Sequence, residues 1–416
     1  MQPKPLAKQL DFLNWEFGVF FHFGIRTFYP HHTDWDQRPM PASAFLPEQL
    51  GCEQWVRTAK EAGARYTILT AKHHDGFALW QTDTTDYGVA NTPWKNGKGD
   101  VIAEYVAACR KYDMKVGLYY SPAQWGGAVP FTDGVEYDDY FIRQISELLS
   151  RYGKIDYLWF DGCGSEGHVY DKKRIAHAML SLQPKLLTFC DPEWAVGTRW
   201  VGNEDGYAPS ECVYAVSHTW DSIRDDAGKP LTEPVFLPAE CDCRLRSTWF
   251  YDGEQEDLKS TEELFGMYEA SVGHGTNLLL NIGPDAHGLL PQADCARLAA
   301  FAARVRAVYE TPRLCGKLEQ VAENTYTVTQ EAHAPVQLIN RVRISEALQN
   351  GQAVCHFRLY ACTPGSTTRK VLLFSGERIG HCRICPIPAI RTSKLILELC
   401  TDGQPAKIES IAGFFA

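Results

Sequence analysis

The chain reads as an α/β protein, a (β/α)8-like barrel of the TIM type followed by a C-terminal antiparallel β-sandwich. Three observations carry that expectation. Between Phe17 and about Tyr309, short apolar runs alternate with segments of helical periodicity. Several of the runs are continuously apolar, as strands buried on both faces require. After Thr311-Pro312 the pattern changes to short alternating runs separated by turn residues.

The expected barrel strands are Phe17–Phe23, Tyr66–Ala71, Lys115–Ser121, Ile155–Asp161, Leu186–Cys190, Cys212–Val216, Val235–Glu240 and Asn277–Ile282, the fifth and sixth units being weakly marked. Helical periodicity covers Glu53–Gly63, Val101–Tyr112, Tyr140–Tyr152, Lys172–Leu182, Thr261–Val272 and Pro291–Val308. Gly63 and Gly153 end two of these, and Ser260 or Pro291 can start others. A doubly wound sheet would show the same alternation. Strand-like runs at Thr325–Thr329, Ala353–Tyr360, Lys370–Phe374 and Lys394–Leu399 build the sandwich, so the domains are expected at 1–314 and 315–416.

A net charge of −10 argues against nucleic acid or an anionic membrane as the main partner. No apolar run is long enough to span a bilayer, and no apolar leader precedes Trp15. Fourteen cysteines would suit a disulfide framework in a small secreted protein but not in a chain of this size, and with no export signal seen, reduced, mostly buried thiols and a cytoplasmic location are expected. Cys382-Arg-Ile-Cys385 has half the spacing of a zinc site, but it lies in a strand-like run and lacks a second pair. No metal or other cofactor is expected. The 11 Trp and 19 Tyr suit sugar stacking, although a well-filled core uses the same rings.

Catalytic side chains of a parallel barrel sit where strands end and loops begin. Four expected strand ends carry polar groups: His22, the run Lys72-His73-His74-Asp75, Tyr119 with Ser121, and Asp161. Each has a bland alternative. His22 could be a satisfied core histidine, the paired histidines could belong to a metal cluster, and Asp161 before Gly162 could open a turn. A structural explanation, however, must be found four times over. Cys163-Gly164-Ser165-Glu166-Gly167 approaches a nucleophile elbow, but it lacks the first glycine and a long helix directly behind it.

The blocks Phe20-Phe21-His22-Phe23-Gly24, Ala71-Lys72-His73-His74-Asp75-Gly76-Phe77, Gly117-Leu118-Tyr119 and Trp159-Phe160-Asp161-Gly162 resemble glycoside hydrolase family 29, the α-L-fucosidases. The resemblance runs from Trp15 to about Tyr309 and continues faintly at Gly380-His381-Cys382-Arg383. Pro93–Asp100, Arg199-Trp200-Val201-Gly202-Asn203-Glu204 and Pro238-Ala239-Glu240 through Trp249-Phe250-Tyr251 are similar to the subfamily favouring α-1,3 and α-1,4 fucose. The resemblance implies a retaining exo-α-L-fucosidase acting on fucosylated oligosaccharides or glycoconjugates. It implies Asp161 as nucleophile, Glu204 as acid/base, and His22, Trp35, His73, His74, Tyr119 and Trp249 around the fucose. Glu240 and Arg246 join the substrate-binding set, and Glu240, at a strand end, is also the rival acid/base. Ala123-Gln124-Trp125 and Asp34-Trp35-Asp36 depart from the family's usual Trp-Asp-Arg and Glu-Trp-Gly. Two other readings stay open: an inactive fucose-binding protein on the same scaffold, and a related retaining glycosidase with altered sugar preference.

Overall fold

The floor of the molecule is set by its first helix. In the computed structural model, which describes every residue except 1, 32, 34, 127–128, 191, 220–228, 254–256, 331–334 and 363–368, α1 (Ala7–Leu13) turns Phe12 inward. Phe12 packs edge-on against Tyr66 and within 5.5 Å of Tyr157, closing the barrel from below.

The chain then runs through β1 (Phe17–Phe21), α2 (Cys52–Glu61), β2 (Tyr66–Lys72), α3 (Val101–Lys111), β3 (Lys115–Tyr120), α4 (Gly134–Arg151), β4 (Tyr157–Phe160), α5 (Lys172–Leu182), β5 (Leu187–Phe189) and β6 (Arg199–Trp200). A ribbon of β7 (Ala215–His218) and β8 (Pro230–Phe236) follows, then β9 (Ala239–Arg244), α6 (Thr261–Ser271), β10 (Asn277–Asn281) and α7 (Gln292–Tyr309). Eight parallel strands lie in the order β5-β4-β3-β2-β1-β10-β9-β6. A parallel bridge between Phe189 and Thr198 brings the two outer strands together.

Local chemistry explains the well-marked units. Asp100, Asp133 and Asp171 accept the backbone N–H three residues on and cap α3, α4 and α5. Ser260 and Glu263 form a reciprocal capping box on α6. Gly63 and Gly153, at φ 89° and 68°, take the left-handed turn after α2 and α4. Inside the barrel, Gly18 leaves the room that the Tyr66 ring fills; a Cβ there would lie 2.4 Å from it.

Two barrel strands fall elsewhere than the sequence suggests. Cys212–Val216 is not the sixth strand: part of it enters the antiparallel β7-β8 ribbon outside the barrel sheet. The sixth place belongs to β6, whose two residues pair with Ala239 and Glu240, and the seventh strand continues through Arg244 rather than ending at Glu240. Two residues cannot produce a hydrophobic run, so β6 left no periodic signal. Among the described residues no helix follows β5 or β6.

Beyond α7, β11 (Lys317–Ala322), β12 (Thr325–Thr329), β13 (Gln337–Glu346), β14 (Val354–Cys362), β15 (Lys370–Glu377), β16 (Arg383–Thr392), β17 (Lys394–Thr401) and β18 (Ile408–Phe414) form a sandwich. Its five-stranded sheet is ordered β11-β12-β17-β14-β15 and its three-stranded sheet β16-β13-β18. Cys382 joins the barrel core while Cys385 joins the sandwich core, so the two thiols serve different interiors. All fourteen cysteines are free thiols. The sandwich docks on the barrel through Arg341–Glu269 at 2.7 Å and an Arg343–Glu16 ion pair. Burial alone would raise the Glu16 carboxyl, but His381 and Arg343 hold it down at about 2.

Candidate active site

Strand alternation decides what faces the barrel axis. Tyr66, Tyr157 and Glu240 form the lowest layer, with Phe20, Ile68, Trp159 and Leu279 above. At the carboxyl ends of the strands a cavity of about 160 Å³ opens over Phe20, Trp159, Phe189, Trp200 and Trp249. His22, His73, His74, Tyr119, Asp161, Cys163, Glu204 and Asp242 complete its wall.

Asp161 directly follows β4. Its Oδ2 accepts the Tyr119 hydroxyl at 2.8 Å, and its Oδ1 accepts the Cys163 backbone N–H at 2.9 Å. The second bond is an Asx turn, so the bland reading of Asp161 is also true: the turn aims the carboxylate. His74 Nε2 lies 3.5 Å from the same Oδ2. Burial pushes the Asp161 carboxyl up, while the Cys163 N–H, the Tyr119 hydroxyl and the Arg26 charge oppose it. The side chain is 24% exposed, open to a reactant from the cavity.

The histidines are fixed by partners behind them. Asn281 donates its amide to the Trp249 carbonyl at 2.7 Å, which turns its Oδ1 toward His22 Nδ1, also at 2.7 Å. His22 Nδ1 therefore carries the proton, and burial lowers this ring to about 3, leaving Nε2 a lone-pair acceptor. Ser121 gives its single proton to the Ala123 carbonyl at 2.5 Å, so His74 Nδ1 must donate to Ser121 Oγ at 2.6 Å. His73 stacks on Tyr119 at 5.2 Å and Trp249 lies 4.9 Å from His22. His73, His74 and Asp161 place one possible ligand atom each within 4.8 Å of one another, a grouping that could also receive a cation.

Glu204 follows β6 on a loop, half-exposed, with Arg244 Nη2 3.6 Å from its Oε2. Glu240 stands differently. It is fully buried and is not among the residues lining the cavity. Its carboxyl receives the Tyr66 hydroxyl at 2.5 Å, the Trp159 indole at 2.9 Å and the Tyr157 hydroxyl at 3.0 Å. Burial raises it to about 7 despite these donors. Arg246 is likewise away from the cavity wall, ion-paired with Asp294 at 2.5 Å. Trp35 stands at the rim, stacked on His74 at 4.7 Å and donating its indole N–H to Cys163 Sγ at 3.2 Å.

The unusual Ala123-Gln124-Trp125 segment has a definite place. Gln124 Oε1 accepts from the buried Lys72 ammonium at 2.7 Å, and Trp125 covers the Arg26 guanidinium at 4.7 Å. Asp34 of the other departure lies outside the described residues. Sequence reasoning missed Asp242, Cys163, Phe189 and Asn281. The signal for Asp242 was present, since alternation from Glu240 puts it on the same inward face.

The sequence profile of a family described as Alpha-L-fucosidase matches residues 5–307. The chain belongs to the α-L-fucosidase family. Alpha-L-fucosidase 1 of Arabidopsis thaliana is 34% identical over 323 residues, which are 74% of this chain and 61% of the relative. The chain thus spans less than two thirds of that family member. A protein of Oryza sativa subsp. japonica provisionally named α-L-fucosidase 1 is 31% identical over 99% of this chain and 84% of its own. Among solved structures of the family, a Bacteroides ovatus protein provisionally named α-L-fucosidase superposes with a TM-score of 0.85 at 35% identity, covering 99% of this chain and 74% of its own.

Proposed function

We propose that this chain is a retaining exo-α-L-fucosidase that removes terminal α-1,3- or α-1,4-linked L-fucose from oligosaccharides or glycoconjugates. The observation that carries the reading is the Asp161 carboxylate, aimed by Tyr119 and Cys163 into an aromatic cavity of one-sugar size that Glu204 also lines. A retaining glycosidase needs a held carboxylate for attack and a second carboxyl, about 5–5.5 Å away, that protonates the leaving oxygen. Asp161 attacks the anomeric carbon as Glu204 gives its proton to the departing sugar. Glu204 then takes a proton from water, which releases fucose from Asp161.

His22 Nε2 accepts a sugar hydroxyl, His73, His74 and Trp35 border the ring, and Trp249 offers an apolar face. An inactive fucose-binding protein would need neither acid. The fourteen free thiols support work in a reducing, cytoplasmic compartment. The test is incubation with oligosaccharides carrying α-1,2-, α-1,3-, α-1,4- or α-1,6-linked fucose, with proton NMR of the released sugar. Fucose should appear first as the α-anomer and fastest from the 1,3 and 1,4 linkages. No free fucose from any of them, or a first-formed β-anomer, overturns the reading. A chelator should leave turnover unchanged; loss restored by one added metal would assign His73, His74 and Asp161 to a cation instead.

A further inference from the structure

The inward face of β9 carries Glu240, Asp242 and Arg244 at successive alternate positions, and the middle residue has no part in the chemistry above. Asp242 is 5% exposed and lines the same cavity as Glu204. Its Oδ1 accepts the Trp200 indole N–H at 2.7 Å. Trp200 ends β6, the strand from which the Glu204 loop departs, so this bond ties the root of the loop to β9. We propose that Asp242 is a positioning residue for the acid/base: its carboxyl and that of Glu204 form a coupled pair that holds one proton between them. The proposal rests on the reading of Glu204 as acid/base.

The surrounding charges favour such sharing. Below Asp242 on its own strand lies Glu240, and beyond it Arg244. Across the cavity are Asp161 after β4, Tyr119 on β3, and His22, His73 and His74 at the ends of β1 and β2. Neighbouring β10 brings only uncharged Asn277, Leu279 and Asn281 to this face. Burial pushes Asp242 far above the ordinary carboxyl range; the Glu204 charge adds to that, as does Glu240, while the Trp200 N–H opposes them. Interaction between two titrating groups is mutual, so an ionised Asp242 makes Glu204 keep its proton to the same degree. Arg244, 3.6 Å from Glu204, works the other way. When the shared proton passes to the glycosidic oxygen, the pair is left with two negative charges. Taking the proton of the attacking water restores it.

The experiment compares kcat/KM against pH for the full chain and its Asp242→Asn variant on a fucosylated oligosaccharide. Asparagine keeps an oxygen for the Trp200 indole but removes the charge. The basic limb, where the acid loses its proton, should move down by about one pH unit. Above that limb the variant should be about tenfold slower, with the loss in kcat. Trp200→Phe removes the donor that favours ionised Asp242, so its basic limb should move up; this variant decides the matter if Asp242→Asn does not fold. A limb that stays in place in both, or a loss confined to KM, overturns the proposal. The acid assignment fails separately: Glu204→Gln would then show equal losses on the oligosaccharide and on an activated aryl fucoside, whatever Asp242→Asn does.

Discussion

The two sides of the barrel rim are built in different ways. From β1 to β4, each strand has four to seven residues and a capped or glycine-terminated helix behind it. His22, His73, His74, Tyr119 and Asp161 stand on this side, each fixed by packing or a hydrogen bond. Beyond β4, β5 and β6 shrink to three and two residues, and the β7-β8 ribbon stands where a helix would precede the six-residue β9. Here stand Glu204, half-exposed on its loop, and Asp242, pinned by Trp200. The difference suits the chemistry proposed for Asp161 and Glu204. A nucleophile must meet one carbon in line and gains from a rigid seat, whereas an acid serving different leaving sugars must follow an oxygen whose position varies.

The sharpest way to break this comparison is at Asp161. Asp161→Gly should lower turnover by on the order of 10⁴-fold or more on every fucoside, with an unchanged circular dichroism spectrum. A folded variant retaining near-normal rates would remove the rigid side from the chemistry. Glu204→Ala should lose about 10²–10⁴-fold on a Lewis-type oligosaccharide and far less in the first step with fucosyl fluoride. A fucosyl adduct on Asp161 should accumulate, and azide should restore turnover. If that signature appears in Glu240→Ala instead, the buried strand residue is the acid and the loop is not. Tyr119→Phe deletes one bond to the nucleophile and should cost about 10–100-fold in kcat, the worth of a hydrogen bond to a charged group. An equal loss in binding alone would show that the hydroxyl serves the sugar and not Asp161.

The smallest effect is one of stability. The folded Glu240 carboxyl is raised to about 7, so the native state holds more protons than the unfolded chain between about pH 4.5 and 7. Its contribution to stability is full below that window and falls as pH rises through it. Urea midpoints of the wild-type protein should show this fall, and Glu240→Gln should flatten it.

The same asymmetry governed what could be read from the sequence. Strands β1 to β4 are apolar runs ending in polar residues, and a buried parallel strand writes that pattern into any chain. Asp161 was visible because alternation and the strand end coincide there. Strand β6 has two residues and is defined by its neighbours, so tertiary pairing, not local pattern, makes it a strand. Local pattern therefore offers Cys212–Val216 in its place, and the strand it marks at Val235–Glu240 stops short of Asp242. Arg246, which the resemblance puts in the substrate-binding set, is paired here with Asp294, 48 residues on, a partner that no local reading supplies.

Helix α1 has a consequence for how the chain reaches this state. It precedes every barrel strand in the chain, yet Gln9 donates to the carbonyls of Gly197 and Phe236, and the Phe12 carbonyl receives the side chain of Asn277. Those partners are 188 to 265 residues away. The plug cannot be seated until the last barrel strands have emerged. Contacts of such separation carry a loop-closure cost that must be met before they contribute, which places the sealing of the barrel late on the folding route. Until then the aromatic interior is open from below, and transiently exposed apolar surface of that kind is what makes incompletely folded chains prone to associate.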